Sequence, residues 1–197
     1  MTRRRQVVVG FGGTTFDGSS TEQALRIALA SAERNGAEVR LYGGLALARL
    51  SHYQPGAASS DLAQHFLADV RRADGLIIAS PGYHGSVSGL VKNAIDYLEE
   101  TARDDRVYLD GLPVGLIVTA YGWQATGSTL IALRSVVHAL RGWPTPLGVA
   151  VNTSGGMFRD GACIDPNIAA QLALVGQQVQ EFAAVRALMP DMTSTGD

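Results

Sequence analysis

The stretch GLIIASPGYHGSVSGLVKNAIDYL, residues 75–98, decides the fold of this chain. Its residues 76–79 are apolar without polar alternation, which is typical of a strand covered on both faces in a parallel sheet. The strand is predicted to stop abruptly at residues 80–82, where proline and glycine allow a sharp turn with unpaired amides. Apolar residues then recur at helical spacing, so a helix is predicted to start near Ser86 or Ser88 with a serine cap.

The turn after this strand also carries a recognisable motif. Residues 80–96, SPGYHGSVSGLVKNAID, closely resemble the S-P-E-Y-N-G-S-x-x-G-x-x-K-N-A-I-D signature of the NAD(P)H-dependent FMN reductase family, whose members are flavodoxin-like flavoproteins. Two specified positions differ, because Gly82 replaces Glu and His84 replaces Asn. The resemblance implies that the FMN ring lies against this turn, held largely by backbone groups of Pro81, Gly82, Tyr83, His84, Gly85 and Ser86.

Plainer interpretations of the same residues remain open. Tyr83 could be a turn aromatic that caps the core, and His84 could be a solvated loop histidine. Lys92 and Asp96 have the i,i+4 spacing of a weak ion pair along the helix, so a structural role is favoured for both.

A second strand, loop and helix unit occurs at the start of the chain. The run Val-Val-Val at residues 7–9 is followed by GFGGTTFDGSST, residues 10–21, and then by apolar residues at helical spacing. A loop rich in Gly, Ser and Thr at a helix N-terminus presents amides and hydroxyls to an anion, and the helix dipole favours a phosphate. No G-x-G-x-x-G or G-K-[ST] pattern is present, so a mononucleotide phosphate is favoured over a dinucleotide or ATP.

The family named above has a first loop of the form G-S-x-R-x-x-S. Aligned on Gly13, the chain has Thr14 at the Ser position and Phe16 at the Arg position. The resemblance implies that the phosphate is bound by Gly13, Thr14, Phe16, Ser19, Ser20 and Thr21. Ser19 with Glu22 three residues later also fits a capping box, which is the structural alternative for that serine.

An alternating segment at residues 38–42, which is typical of an edge strand, and apolar runs at residues 113–119 and 147–151 complete the predicted sheet. The chain is therefore predicted to be a flavodoxin-like, doubly wound α/β fold with a five-stranded parallel sheet of order 2-1-3-4-5. In that order the first and third strands are neighbours, so the Gly-rich loop and the Pro-Gly turn meet at one edge. After the fourth strand, the glycine-containing turn at residues 120–128 loosely resembles the family's third flavin-contacting loop, which implies contacts from Ala120, Tyr121 and Gly122. Packing of Trp123 at a subunit interface is the alternative for this turn.

Composition limits the class of protein. The 197 residues are 46% hydrophobic and 17% charged, which predicts one globular domain at residues 1–189 and a disordered tail at residues 190–197. A net charge of -2 argues against a nucleic-acid partner. A single cysteine, Cys163, excludes an intrachain disulfide, and no segment reaches membrane-spanning length. We therefore expect a cytoplasmic protein without membrane or metal binding.

The resemblance implies an NAD(P)H-dependent oxidoreductase in which bound FMN, rather than a side chain, carries the hydride chemistry. NADH or NADPH is the implied donor, and the small-molecule electron acceptor is a quinone, an azo compound or a free flavin. Two alternatives stay open: a flavin reductase component that supplies reduced FMN to a partner monooxygenase, and a non-enzymatic flavodoxin-like electron carrier. The resemblance also implies a homodimer or homotetramer.

Overall fold

A parallel sheet of five strands forms the centre of the protein, whose computed structural model describes residues 4–189. The strands are β1 (Val7–Gly12), β2 (Glu38–Tyr42), β3 (Gly75–Tyr83), β5 (Pro113–Ala120) and β6 (Trp143–Asn152), while β4 (Ser86–Val87) is a short strand beside β3. The parallel strands lie in the order β2-β1-β3-β5-β6. Counted alone, they have the order 2-1-3-4-5, so the predicted flavodoxin-like topology is confirmed. The predicted tail at residues 190–197 lies outside the described residues.

Helices cover both faces of this sheet. Within residues 4–189 the α-helices are α1 (Ser20–Arg34), α2 (Gly44–Leu47), α3 (Asp61–Arg72), α4 (Gly89–Asp96), α5 (Trp123–Ala139) and α6 (Pro166–Arg186), with a 3₁₀ helix at Tyr97–Thr101. Ile77 joins the core under α1 and α6, whereas Leu76 and Ile78 join the core under α3, α4 and α5. Strand β3 is thus buried on both faces, as its uninterrupted apolar run predicts.

Helices α1 and α6 approach each other closely on their side of the sheet. A Cβ atom at Gly176 would overlap the Ala28 carbonyl oxygen of α1, so only glycine permits this distance. The contact fixes α1 against the sheet and therefore fixes the position of its N-terminus at the sheet edge.

The predicted abrupt end of the third strand at residues 80–82 is wrong. Strand β3 continues to Tyr83, and its last residues pair antiparallel with β4, Gly82 with Val87 and Tyr83 with Ser86. The parallel neighbours stop earlier, since β1 pairs with β3 only as far as Ala79 and β5 only as far as Pro81. Residues of β4 supply the pairing that the parallel strands no longer provide, so the turn is a β-hairpin.

Other element boundaries also differ from the sequence-based expectation. Helix α4 begins after a cap at Ser88, as predicted, because the Ser88 side chain accepts a hydrogen bond from Val91 N. Strand β5 ends at Ala120 and helix α5 begins at Trp123, so the turn predicted at residues 120–128 is only two residues long. Strand β6 begins at Trp143, and the loop after it contains a hairpin of β7 (Phe158–Arg159) and β8 (Ala162–Cys163).

None of the helices within residues 4–189 combines the length and the hydropathy that a bilayer-spanning segment needs.

Candidate functional site

The loop between β1 and α1 begins with two glycines whose backbone is crowded. Gly12 has φ 149° and Gly13 has φ 122°, conformations that other residues rarely adopt. A Cβ atom at Gly12 would overlap the Ala79 carbonyl oxygen of β3, and one at Gly13 would lie 2.8 Å from Gly44 N. The glycines therefore let the chain pass tightly between β3 and the start of α2 before it turns outward.

The N-terminus of α1 leaves backbone donors available at the end of this loop. Ser19 caps the helix, because its Oγ accepts a hydrogen bond of 3.4 Å from Glu22 N. The amides of Ser20 and Thr21 have no hydrogen-bond partner among residues 4–189, as is usual for the first residues of a helix. These two N–H groups, together with the helix dipole, can bind an anion such as a phosphate.

The hydroxyls that the sequence assigns to this loop are largely used inside the protein. Thr14 Oγ1 accepts from Phe16 N at 3.1 Å, and Ser19 Oγ serves as the helix cap. Thr21 Oγ1 lies 2.6 Å from Thr119 Oγ1, and both threonines are buried. Of the four hydroxyls assigned to the phosphate, only that of Ser20, which is half-buried, has no hydrogen-bond partner within residues 4–189.

The hydrogen bond between Thr21 and Thr119 joins the N-terminus of α1 to the carboxyl end of β5. The two residues are 98 positions apart in the sequence, so neither periodicity nor a local motif indicates the contact. The sequence shows only that one threonine lies at the start of a predicted helix and the other at the end of a predicted strand. The bond holds the first loop at a set distance from the third.

The hairpin after β3 turns through two residues in left-handed conformation. His84 has φ 52° and Gly85 has φ 82°, which together define a two-residue turn of type I′. Their amides have no hydrogen-bond partner within the described residues, and His84 is exposed. Ser80 supports the hairpin from below, since its buried Oγ accepts from Ser88 N at 3.1 Å.

Gly82 occupies the position at which the family signature has a glutamate. A Cβ atom there would lie 2.9 Å from Thr129 Oγ1 and 3.1 Å from the Ala125 carbonyl oxygen, both on α5. The Thr129 hydroxyl is buried without a hydrogen-bond partner among residues 4–189. The first two turns of α5 thus occupy the space that a longer side chain at residue 82 would need.

The third loop joins β5 to α5 and consists of Tyr121 and Gly122 after the half-buried Ala120. Tyr121 is 81% exposed, and Trp123, the first residue of α5, is 66% exposed. Nothing lies within 4 Å of where a Cβ atom at Gly122 would be, so the backbone there faces open space. Large aromatic side chains held in solvent beside an open backbone suit contact with a flat ring.

These three loops form one surface at the carboxyl edge of the sheet. They follow β1, β3 and β5, which are neighbours in the sheet, and they bring together the predicted residues of all three segments. Four large side chains on these loops are exposed: Phe16, Tyr83, Tyr121 and Trp123. In doubly wound sheets ligands bind at this edge, at the switch point between β1 and β3. We call this surface the three-loop site.

The long segment after α2 packs on α4. Asn93 Oδ1 accepts from Tyr53 N at 2.8 Å, and Asn93 Nδ2 donates to Ser51 O at 2.9 Å. Partial burial, followed by the hydrogen bond to the Glu100 carboxylate, raises the pKa of Tyr53 to about 12. Asn93 of the signature motif therefore has a structural role, and so does Lys92, which pairs with Asp96 at 2.6 Å.

An apolar cavity of about 320 Å³ lies at the opposite end of the sheet. Its walls include Pro113 and Trp143, the first residues of β5 and β6, together with Phe182 and Val185 of α6. Since these strand ends are the amino ends, the cavity is separate from the three-loop site.

The three-loop site can hold a mononucleotide flavin. The glycines at its centre allow close backbone approach, the free amides of α1 suit a phosphate, and exposed aromatic rings suit a planar ring system. The donor set contains amides and hydroxyls but no lysine or arginine within residues 13–21. The strand order, with the site at the switch point, is that of flavodoxin-like proteins.

Within this class, the model of the NADPH-dependent FMN reductase family matches residues 7–156, so the chain belongs to that family. An FMN-dependent NADPH-azoreductase of Staphylococcus haemolyticus is 36% identical over 89 residues, which are 45% of this chain and 44% of that protein. The alignment thus spans less than half the length of the azoreductase.

Solved structures with low sequence identity share the fold. The flavoenzyme NAD(P)H:(acceptor) oxidoreductase FerB of Paracoccus denitrificans has a TM-score of 0.73 and 17% identity, covering 91% of this chain and 98% of that one. An NADH:FMN oxidoreductase in apo form has a TM-score of 0.69 and 21% identity, covering 96% of this chain and 93% of that one. At such identities the likeness extends to the fold alone.

Proposed function

We propose that this protein is an FMN-dependent NAD(P)H oxidoreductase that binds FMN across the three-loop site. The observation that carries the proposal is the meeting of two distant segments at one switch point: free amides at the N-terminus of α1 and the type I′ hairpin of the family signature. Membership of the NADPH-dependent FMN reductase family supports it.

The chain's own residues would bind and shield the flavin. The amides of Ser20 and Thr21 would hold the phosphate, and the amides of His84 and Gly85 would face the edge of the ring. Tyr121 and Trp123 would pack against flat ligands and keep water from them. FMN, when bound, supplies the hydride chemistry, so the protein's contribution is position and electrostatics.

For the electron acceptor we propose a small planar molecule, namely a quinone, an azo compound or a free flavin. Two observations support this proposal. The site is surrounded by exposed aromatic side chains, and a relative aligned with this chain over less than half of that relative's length is named an azoreductase. Either NADH or NADPH is the proposed hydride donor, and assembly as a homodimer or homotetramer in the cytoplasm is part of the same proposal.

A second candidate function, a flavin reductase component for a partner monooxygenase, is favoured by Phe16. This side chain is 77% exposed at the position where the family has arginine. Loss of a charge-assisted phosphate contact weakens binding by about 1.5–3 kcal/mol, which is about one to two decades in affinity. Flavin that dissociates readily could pass from this protein to another enzyme.

The test begins with FMN titrated into the purified protein while flavin fluorescence is recorded. We expect quenching that saturates, followed by NADH or NADPH consumption that requires both FMN and protein and that increases with menadione, methyl red or riboflavin. Binding with no nicotinamide consumption above that of free FMN would identify an electron carrier. Absence of quenching at any workable FMN concentration would overturn the flavin proposal itself.

A further inference from the structure

A buried carboxylate lies directly behind the loop that faces the phosphate position. Glu22 is the third residue of α1, and its side chain is only 6% exposed. Its Oε2 accepts from Gly44 N at 3.2 Å, and its Oε1 accepts from Arg26 Nε at 3.1 Å and from Arg26 Nη2 at 2.6 Å. The carboxylate thus links α1 to the start of α2 and carries a negative charge inside the helix N-terminus.

This carboxylate is in close contact with the first loop. A Cβ atom at Gly13 would lie 3.4 Å from Glu22 Oε2, and one at Gly44 would overlap the backbone of Thr14. The Glu22 carboxylate, the Gly44 backbone and the Gly13–Thr14 peptide are therefore packed directly against one another. A phosphate on the amides of Ser20 and Thr21 would share the positive end of the helix dipole with Glu22.

The charges around this position are unusual for a phosphate site. Residues 13–21 contain one acid, Asp17, and no lysine or arginine. Arg26 lies one helical turn after Glu22 on α1, its two side-chain hydrogen bonds go to that carboxylate, and its side chain is 59% exposed. A guanidinium engaged with a carboxylate attracts a phosphate less than a free one does, since the two charges largely cancel at a distance.

We propose that the Glu22–Arg26 pair sets how strongly this protein holds the phosphate of its flavin. Glu22 lowers the affinity for FMN by repelling the phosphate, and Arg26 offsets that repulsion. This inference rests on the proposed function, and it goes further by naming the two residues that set the affinity for FMN and therefore how readily FMN dissociates. Glu22 is a positioning residue, because its hydrogen bond to Gly44 N also holds the loop in place.

The experiment compares dissociation constants for FMN and riboflavin, measured by quenching of flavin fluorescence at low salt. Glu22→Gln keeps an oxygen that can accept from Gly44 N and removes the charge. We expect its Kd for FMN to fall about threefold to tenfold while its Kd for riboflavin, which lacks the phosphate, stays unchanged. Arg26→Gln leaves the carboxylate unpaired, and we expect its Kd for FMN to rise about tenfold with little effect on riboflavin.

Glu33→Gln is the matched control, because it makes the same charge change at the exposed C-terminal end of α1. The inference is overturned if Glu22→Gln weakens FMN and riboflavin equally, which would show a purely structural role, or if Glu33→Gln tightens FMN as much. Should Glu22→Gln fail to fold, Arg26→Gln decides alone, and an unchanged FMN Kd there overturns the inference. If the unmodified protein binds neither FMN nor riboflavin, that result overturns the proposed function itself, and this inference with it.

Discussion

His84 shows how a single residue can be held in a conformation that its type rarely adopts. Its φ of 52° is that of the first position in a type I′ turn, where asparagine and glycine are preferred. Histidine is tolerated there more often than most residues, and the following Gly85 takes the second left-handed position without strain. Histidine at this position of the chain is therefore compatible with the type I′ turn.

Substitutions at residue 84 should separate backbone conformation from side-chain chemistry. We expect His84→Val to destabilise the protein by about 1–2 kcal/mol, because a β-branched residue is strongly disfavoured in the left-handed region. His84→Asn should leave the stability unchanged or raise it slightly. Urea unfolding followed by circular dichroism measures both variants, and equal stability of the two would show that the hairpin does not impose this conformation.

Gly82 and Thr129 illustrate a second effect at the level of single residues. The buried Thr129 hydroxyl, which lacks a hydrogen-bond partner within the described residues, lies where a side chain at residue 82 would begin. The departure of this chain from the family's glutamate is thus coupled to the close packing of α5 on the hairpin.

At the scale of elements, α4 does more than support the hairpin. Its Asn93 makes two hydrogen bonds to the segment that follows α2, and Tyr97 of the adjoining 3₁₀ helix packs edge-on against Tyr53 at 5.4 Å between ring centres. The signature motif therefore encodes both the turn at the site and the attachment of a covering segment some 40 residues earlier.

Removing this attachment should loosen the segment without unfolding the sheet. We expect Asn93→Ala to lower the free energy of unfolding by about 1–2 kcal/mol, because Tyr53 N loses its acceptor and Ser51 O keeps only the hydrogen bond from the Tyr97 hydroxyl. It should also speed proteolysis within residues 51–59. The matched control is Lys92→Ala, which removes an exposed ion pair from the same helix and should cost at most about 0.5 kcal/mol. Equal proteolysis rates in the two variants would contradict the role given to Asn93.

At the scale of the whole molecule, the site depends on three strands being neighbours. The loops after β1, β3 and β5 come from distant parts of the chain, and each contributes backbone or aromatic groups. A ligand that contacts all three should therefore stabilise the folded protein as a unit.

FMN should accordingly raise the thermal unfolding temperature. At 100 times its Kd a ligand stabilises the folded state by about 2.7 kcal/mol. For a protein of this size that is a rise in Tm of about 5–10 °C, measurable by differential scanning calorimetry. AMP, a phosphate without the flavin ring, is the control. An equal shift with AMP, or no shift at FMN concentrations that saturate fluorescence quenching, would show that the ring does not bind across the loops.

Much of this architecture could be predicted from the sequence. The apolar runs of β1, β3 and β5 are local signals, and the order 2-1-3-4-5 places the loops that follow these strands at one edge of the sheet. The cap at Ser88 and the Lys92–Asp96 pair were also predictable, because they depend on residues within one helical turn. Assignment of the individual site residues stays a prediction that the flavin titrations test.

The tertiary structure alone decided which groups at the site are free. The hydroxyl of Thr21 is used by Thr119, the space beside Gly82 is filled by α5, and the carboxylate of Glu22 accepts a hydrogen bond from Gly44 N. Sequence reasoning could not find these contacts, since they join residues on separate elements whose distance is set by the packing of whole helices on the sheet. Local pattern determines the elements and their faces, whereas hydrogen-bond partners depend on where those elements meet in space.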